Sequence, residues 1–271
     1  MGEKGCFMNF LPFDFNRILK FAEKMKVPAS KKRGIIREYL QVRLIEEFYR
    51  WPQSKKMVFA GGTSMRLLRN LDRFSEDLDF DNLGLKNEQI VQLVSKTVER
   101  YRQENIELEL KINKREKKTF FELRFPKLLY QLKITTNPRE KLAIKIDYSN
   151  LWKGQRPEAI LLNRYGHINT VLTNPIDQFL VQKITAYIRR KEVQPRDIYD
   201  AVWLFSQGAR IDVQFAQANG LADLVKKARE KYKKEGIAQN LFFRLKPFLF
   251  EERSIEKMNL FGDVLKELAD K

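Results

Sequence analysis

The sequence predicts an α/β (α+β) fold, in which a small mixed sheet lies between a helical N-terminal lead-in and an all-helical C-terminal part. Apolar residues recur at helical spacing through the first fifty positions, beginning with Phe15, Ile18, Leu19 and Ala22. From Pro175 to the end of the chain the pattern is helical again. Runs typical of strands lie between these two parts, at 57–60, 78–81, 106–112, 119–125 and 142–148.

The helical lead-in divides at Pro28, and its second helix, with apolar residues from Ile36 to Phe48, extends up to Pro52. Met57–Ala60 is a short apolar run that ends in two glycines, as a buried strand does before a tight turn. A short helix is expected at 64–70. A longer amphipathic helix is expected at Asn87–Arg102, because Ile90, Val91, Val94 and Val98 share one of its sides.

A domain boundary is predicted at the change from alternating to helical patterning near residues 170–174. It divides the chain into residues 1–172 and residues 173–271. Neither side of the junction is rich in Gly, Ser or Pro, so we expect the two parts to pack together rather than to be separated by a flexible linker.

The composition predicts a folded, strongly basic protein. Among 271 residues, 52 Lys and Arg oppose 35 Asp and Glu, which gives a formal net charge of +17 and a pI near 9.8. Hydrophobic residues make up 43% of the chain, which excludes a disordered protein. Such a surplus of positive charge favours a polyanionic partner, nucleic acid before an anionic membrane, although the same charge could serve solubility alone.

Cysteine and histidine are almost absent, and this restricts the chemistry. Cys6 is the single cysteine, so no internal disulfide and no cysteine-rich zinc site can form. His167 is the single histidine, which excludes His-pair metal sites and disfavours a Ser-His-Asp triad. No apolar run reaches the length of a membrane span, and the N-terminal segment is interrupted by Asp14 and Arg17, unlike a signal peptide. We therefore expect a cytoplasmic location.

Two aspartates, Asp77 and Asp79, alternate with the apolar residues Leu78 and Phe80 at the strand-like run Leu78–Asp81 and just before it. Side chains of a strand alternate between its faces, so both carboxylates lie on one face, where they repel unless a cation sits between them. Mg²⁺ is the cation that suits such oxygen ligands and also binds substrate phosphates. A surface strand with solvated aspartates would show the same pattern.

The turn at Gly61 and Gly62 precedes Asp77 by enough residues for one short helix and a return to the sheet. Two glycines let the backbone approach a phosphate closely, the following helix start presents free amides, and Thr63 or Ser64 can add a hydroxyl. A strand, a Gly-Gly-Thr/Ser turn, a short helix and a strand with Asp-x-Asp together resemble the nucleotidyltransferase superfamily of DNA polymerase β.

In that superfamily two aspartates bind two metal ions, and a third carboxylate comes from a neighbouring strand. Asp147, in the alternating run before Tyr148, is the candidate for the third carboxylate. Glu122 and Glu109 are alternatives in other strand-like runs, and Asp147 could also be a strand-end residue in a turn.

Further charged residues stand out in the helical C-terminal part. Lys183 lies within the apolar stripe of the helix that begins near Pro175, where it either extends to solvent or pairs with a phosphate or carboxylate. Asp197 and Asp200 follow Arg196 at the start of the next helix, a position that the helix dipole favours for acidic residues in any case.

Two longer runs, GGTSMR…RFSEDLDFD and QKITAYIRRKEVQPRDIYDAVWLF, resemble the AbiEii-type nucleotidyltransferase toxins of abortive-infection toxin–antitoxin systems. They also resemble mycobacterial relatives that add nucleotides to the 3′ end of tRNA acceptor stems. The resemblance implies a polymerase-β-like core in residues 1–172 and a helical domain, 173–271, that completes the site. It implies that Asp77 and Asp79 are metal ligands, and less firmly that Asp147 is a third. It implies nucleotide binding by Gly61, Gly62, Thr63, Ser64 and Lys183. Asp197 would complete the site, and the supporting residues would be Arg66, Arg73, Arg196 and Asp200.

The expected reaction is metal-dependent transfer of NMP from an NTP to the 3′ end of RNA, with tRNA as the expected acceptor, Mg²⁺ or Mn²⁺ as the metal and a block of translation as the result. Basic runs at 111–118, 189–191 and 226–234 could hold the RNA backbone, or be solvated faces. The resemblance also implies a cognate antitoxin, often with a winged-helix DNA-binding region. Two alternatives stay open: transfer to a protein or small-molecule acceptor, and a non-catalytic RNA-binding module on the same fold.

Overall fold

The structure, a computed structural model, describes residues 13–104, 106–115 and 118–270. Cys6, most of the N-terminal segment and the tip of the basic hairpin predicted around 111–118 lie outside the described residues.

The lead-in consists of two helices, α1 (Phe15–Lys24) and α2 (Lys32–Phe48). The carboxylate of Asp14 accepts hydrogen bonds from the backbone amides of Asn16 and Arg17, which satisfies two of the free N–H groups at the start of α1. The apolar side of α2 is fully buried from Ile35 to Phe48, so this helix belongs to the core of the protein.

The described residues contain one mixed seven-stranded sheet, in the order β3-β4-β5-β2-β1-β7-β6. Strand β2 pairs with β5, and β1 with β7, in parallel; the other neighbours are antiparallel. The strands are β1 (Met57–Ala60), β2 (Leu78–Asn82), β3 (Glu109–Arg115), β4 (Lys118–Phe125), β5 (Leu142–Ser149), β6 (Glu158–Arg164) and β7 (His167–Thr173). The prediction of an α/β fold with a mixed sheet is confirmed.

The hairpin β6–β7 was not among the predicted strands. Its two strands join at Tyr165 and Gly166, both with positive φ (53° and 83°), as in the tight two-residue turns of hairpins. Most of its side chains are exposed or half-buried, so the apolar alternation that reveals a strand is weak there. The sequence feature that indicates this hairpin is the Tyr165–Gly166 pair at its turn.

Helices cover the two faces of the sheet differently. One face packs on α2 and on α4 (Asn87–Arg102), and its core includes Phe80 and Ile146. On the other face, α3 (Gly61–Arg69) follows β1 directly and lies beside β1, β2 and β6. Helix α3 begins at Gly61, three residues before the predicted start, because the two glycines form its first turn.

The C-terminal part is helical, and it shares a second core with β1 and α3. Ala60, Met65 and Leu71 from the first part pack in this core against buried residues of the C-terminal helices. The boundary after residue 172 stays a prediction. Of the described helices, none is long and apolar enough to cross a membrane. The remaining helices are α5 (Leu128–Gln131), α6 (Ile176–Arg189), α7 (Pro195–Ser206), α8 (Val213–Ala218), α9 (Leu224–Glu235), α10 (Gln239–Leu245) and α11 (Phe261–Glu267), with 3₁₀ turns at 52–56, 246–248 and 252–260.

Candidate active site

Three carboxylates meet on the face of the sheet that carries α3. Asp79 on β2 lies directly beside Asp147 on the parallel strand β5. Asp77 lies just before β2, two residues from Asp79, and is close enough for its charge to raise the pKa of Asp79. Residues two apart in a strand, and residues in register on neighbouring strands, project to the same face. The sheet therefore brings Asp77, Asp79 and Asp147 together, whereas Glu122 lies one strand further away on β4 and pairs with Arg124.

The surroundings of Asp77 and Asp79 disfavour the ionised form of their carboxylates. Burial, together with the neighbouring Asp77 and Asp147, raises the pKa of Asp79 to about 6, although Lys183 and Arg196 oppose the shift. Burial also raises the pKa of Asp77, against the opposing charges of Lys145 and Arg196. A bound cation would relieve this repulsion, so Asp77 and Asp79 could hold a metal ion.

The two glycines are required by close contacts at the turn. Gly61 has a φ of +70°, and a Cβ placed there would collide with the carboxylate of Asp79. A Cβ on Gly62 would lie 2.8 Å from Nη2 of Arg73 and 2.8 Å from Oγ of Ser75. No side chain larger than hydrogen fits either position unless the neighbouring residues move, so the start of α3 is held tightly against the carboxylates.

The hydroxyls of Thr63 and Ser64 face the protein interior. Both residues are fully buried. The Thr63 hydroxyl donates to the backbone carbonyl of Asp77, and Oγ of Ser64 lies 2.7 Å from Oγ1 of Thr173, which itself donates to the carbonyl of Phe59. The Thr63 hydroxyl thus fixes the strand at Asp77, and any phosphate contact of this turn must come from the backbone.

Lys183 reaches a buried ion network, in which Asp200 is its nearest acidic partner. Its Nζ lies 2.7 Å from Oδ2 of Asp200 and 3.7 Å from Oδ1 of Asp197. Arg73 donates to both carboxylate oxygens of Asp200, each at 2.7 Å, and to the carbonyl of Phe74. Burial opposes ionisation of Asp200, but Arg73 and Lys183 outweigh it and lower its pKa. This network joins α6 and α7 to the segment before β2.

Asp197 and Arg196, neighbours in the first turn of α7, have different environments. Asp197 is buried, and its Oδ2 lies 3.2 Å from Nε of Arg190. Arg196 is exposed and lines a cavity of about 300 Å³, together with Ser75, Glu76 and Arg244. We call this the inner cavity; it opens beside the segment that leads into Asp77.

Arg66 and Asp81 have structural contacts. Nε and Nη2 of the buried Arg66 donate to the carboxylate of Glu38 at 2.7 and 3.2 Å, which joins α3 to α2. Asp81 shares the face of Asp79, but its carboxylate is buried and accepts 2.8 Å hydrogen bonds from Asn174 and Gln182. Asp81 is therefore held away from the open part of the site.

The sequence over this whole region matches a known family. The family model described as "Nucleotidyl transferase AbiEii toxin, Type IV TA system" matches residues 43–270. This range contains the carboxylates, the glycine turn and the Lys183 network. The chain belongs to the AbiEii family of nucleotidyltransferase toxins. The predicted resemblance is thereby confirmed, and membership in a type IV toxin–antitoxin family implies an antitoxin partner.

A solved structure shares the fold of this AbiEii protein. A Helicobacter pylori protein assigned as a candidate nucleotidyltransferase aligns with a TM-score of 0.51 at 19% identity, over 88% of this chain and 96% of that one. JHP933 from Helicobacter pylori aligns with a TM-score of 0.49 at 17% identity, over 88% and 94% of the two chains. The comparison with curated proteins gave no match.

The oxygen ligands of the AbiEii site suit a divalent cation whose coordination shell is completed by the substrate. Within the described parts of the chain, no three His, Cys, Asp or Glu side chains form a ready-made metal cluster. Asp147 already accepts a 2.7 Å hydrogen bond from the amide of Tyr148. Mg²⁺ commonly uses only one or two carboxylates, and substrate phosphates and water complete its shell. Asp77 and Asp79, with Asp147 beside them, meet that requirement.

Some residues near the site were not singled out from the sequence. Lys145 lies on the same face as Asp147, two residues before it in β5. Its positive charge opposes the rise in the pKa of Asp77. Ser75 and Arg244 line the inner cavity. The alternation of β5 could have identified Lys145, whereas no local pattern links Arg244 to the site.

Proposed function

We propose that this protein is a metal-dependent nucleotidyltransferase toxin that transfers NMP from an NTP to the 3′ end of RNA, with the tRNA acceptor stem as the target. The observation that carries the proposal is the register of Asp79 with Asp147 beside the Gly61–Gly62 turn. A clustered set of carboxylates next to a helix start can hold both a metal ion and a triphosphate.

Each group has a role that follows from its position. Asp77 and Asp79, supported by Asp147, would hold Mg²⁺ or Mn²⁺. The backbone amides at Gly61 and Gly62 would bind the phosphates, because α3 begins there and the first N–H groups of a helix have no partner within the helix. When bound, the metal would acidify the attacking hydroxyl and stabilise charge on the phosphates.

The chemistry is a displacement at the α-phosphorus. A 3′-hydroxyl of the RNA loses its proton to solvent and its oxygen forms a bond to that phosphorus. The bond between the phosphorus and the oxygen that bridges to the β-phosphate breaks, and pyrophosphate leaves. Lys183 would offset the charge of the triphosphate, and its contact with Asp200 fixes its ammonium group near the site. The Arg73–Asp200 pair positions Lys183 and the segment that carries Asp77.

RNA is the favoured acceptor because the protein is strongly basic. A net charge of +17 attracts a polyanion and repels small cationic acceptors. Block of translation by modified tRNA, a winged-helix antitoxin and a cytoplasmic location stay predictions from the sequence and its family resemblance.

The experiment incubates purified protein with total tRNA, Mg²⁺ and each α-labelled NTP in turn. We expect label on tRNA from one or two nucleotides, and at least a hundredfold less with Asp77→Asn, because one charge of the metal site is lost. Asp263→Asn, at an exposed ion pair with Lys266, is the control and should retain activity. Omission of Mg²⁺ with excess chelator should abolish labelling.

Three outcomes would contradict the proposal. Full activity of Asp77→Asn would refute the metal-site assignment. Label on a protein and not on RNA would replace RNA with a protein acceptor, and no label together with no NTP binding would favour a non-catalytic RNA-binding module.

A further inference from the structure

A second cavity, of about 470 Å³, lies between the start of α2 and the segment around residue 133. We call it the outer groove. Its lining contains five cations, Lys31, Lys32, Arg33, Arg37 and Lys133, and one carboxylate, Glu76. None of the five was selected from the sequence, because they lie in two distant segments that only the fold brings together.

The outer groove adjoins the inner cavity. Phe74, Glu76 and Phe248 line both cavities, so one surface leads from the outer groove to Arg196 and Arg244. The inner cavity in turn borders Ser75, two residues before Asp77. Arg196, which lines the inner cavity, is close enough to Asp77 and Asp79 for its charge to oppose the rise in their pKa values, so a chain molecule that passes from the outer groove into the inner cavity would come near the carboxylates.

The charges of the outer groove are only partly neutralised. Arg37 pairs with Glu76, and Arg33 pairs with Glu140 at an exposed position, where such pairs are weak. Nζ of Lys31 donates to the carbonyl of Pro247, which leaves its charge in place. Lys32 and Lys133 are exposed, and neither has a carboxylate partner among the described residues. Free cations beside the site attract an anion with repeated charges.

We propose that the outer groove binds the phosphodiester backbone of the acceptor RNA, whose 3′ end enters through the inner cavity. This inference rests on the proposed function and specifies where the RNA lies. In the proposed function the triphosphate of the NTP binds at the Gly61 turn and the carboxylates, so it would not reach the cations of the outer groove. An RNA backbone, with one phosphate per nucleotide, would reach them.

A second basic surface provides a matched comparison. Helix α9 carries Lys226 and Lys233 on the rim of a larger cavity of about 620 Å³. Apolar side chains, among them Val225 and Leu268, also line that cavity, and it shares no lining residue with the inner cavity. It includes part of the basic run at 226–234, which the sequence suggested for RNA binding.

The test compares two double variants of the full chain with the same change in charge, Lys32→Glu/Lys133→Glu and Lys226→Glu/Lys233→Glu. All four lysines are exposed, so both variants should keep the thermal unfolding temperature of the wild type. The measurements are the Kd for total tRNA over a series of salt concentrations, the Kd for the preferred NTP, and transfer activity.

The groove variant is expected to bind tRNA at least about tenfold more weakly at low salt, with a salt slope smaller by about two, since two phosphate contacts are lost. Its affinity for NTP should be unchanged. The α9 variant should lose less than about threefold in tRNA affinity.

Three results would overturn the inference: wild-type tRNA affinity in the groove variant, an equal loss in the α9 variant, or a loss of NTP affinity without a loss of tRNA affinity. The proposed function is judged separately. If the wild-type protein labels no RNA but binds tRNA in a groove-dependent way, the transfer proposal fails and the groove assignment stands.

Discussion

Asp79 carries an electrostatic cost in the folded protein, and its replacement by asparagine should therefore stabilise the protein when no metal is bound. Asparagine keeps the size and shape of the side chain and removes its charge. The variant thus relieves the burial of an ionised group and its repulsion from Asp77 and Asp147.

The magnitude follows from the pKa. The folded-state value of about 6 exceeds the ordinary value of 3.8 by about two units, and each unit corresponds to about 1.4 kcal/mol. The folded state binds the proton more tightly than the unfolded state, so stability falls as the pH rises from about 4 to about 6. The cost of the carboxylate is then about 3 kcal/mol at pH 7.5 and about 1 kcal/mol at pH 4.5.

Urea unfolding in chelator, monitored by circular dichroism at both pH values, measures this difference. The free energy of unfolding of Asp79→Asn should exceed that of the wild type by about 1–3 kcal/mol at pH 7.5 and by clearly less at pH 4.5. Millimolar Mg²⁺ should stabilise the wild type at pH 7.5 and leave the variant unchanged, because a ligand that binds only the folded state stabilises it.

Asp263→Asn is the matched control, since its carboxylate is exposed beside Lys266 and should change stability by less than about 0.5 kcal/mol. The reasoning would be refuted if Asp79→Asn were no more stable than the wild type at pH 7.5, or if its gain were the same at both pH values.

Two further substitutions test the surroundings of the site. Gly61→Ala should lose most transfer activity, because its Cβ collides with Asp79. The control is Gly220→Ala, at a residue with a similar φ of +67° and open space around it; this variant should lose about 1 kcal/mol of stability at most and no activity. Equal activity of the two variants would contradict the tight contact at the turn. Arg73→Met should lower the free energy of unfolding in urea by about 3 kcal/mol, because it breaks a buried ion pair with Asp200. The loss stays near that value because Lys183 remains beside the carboxylate. A loss below about 1 kcal/mol would show that the pair is not structurally important.

Local patterns predicted much of the fold and the centre of the site. Helix α4 has the predicted bounds, Asn87–Arg102, because a sustained amphipathic period depends only on neighbouring residues. The Gly61–Gly62 turn and the Asp77–Asp79 pair were likewise visible, since each is a short-range motif.

Contacts between distant segments were beyond the local patterns. Lys183 could have paired with either Asp197 or Asp200, because both lie near the start of one helix; the packing of α6 on α7 brings Asp200 to 2.7 Å. The inward direction of the Thr63 and Ser64 hydroxyls depends on the position of Asp77 and Thr173 around them.

The sequence by itself determined the order of the lead-in helices and of strands β1 to β5, the basic character of the chain, the glycine turn and two of the carboxylates. Its motifs identified the AbiEii family. Only the tertiary structure placed Asp147 beside Asp79 and joined Lys32 to Lys133 in one groove. The physical reason is that periodicity and turn chemistry act over a few residues, whereas strand register and the meeting of remote surfaces are set by burial in a common core.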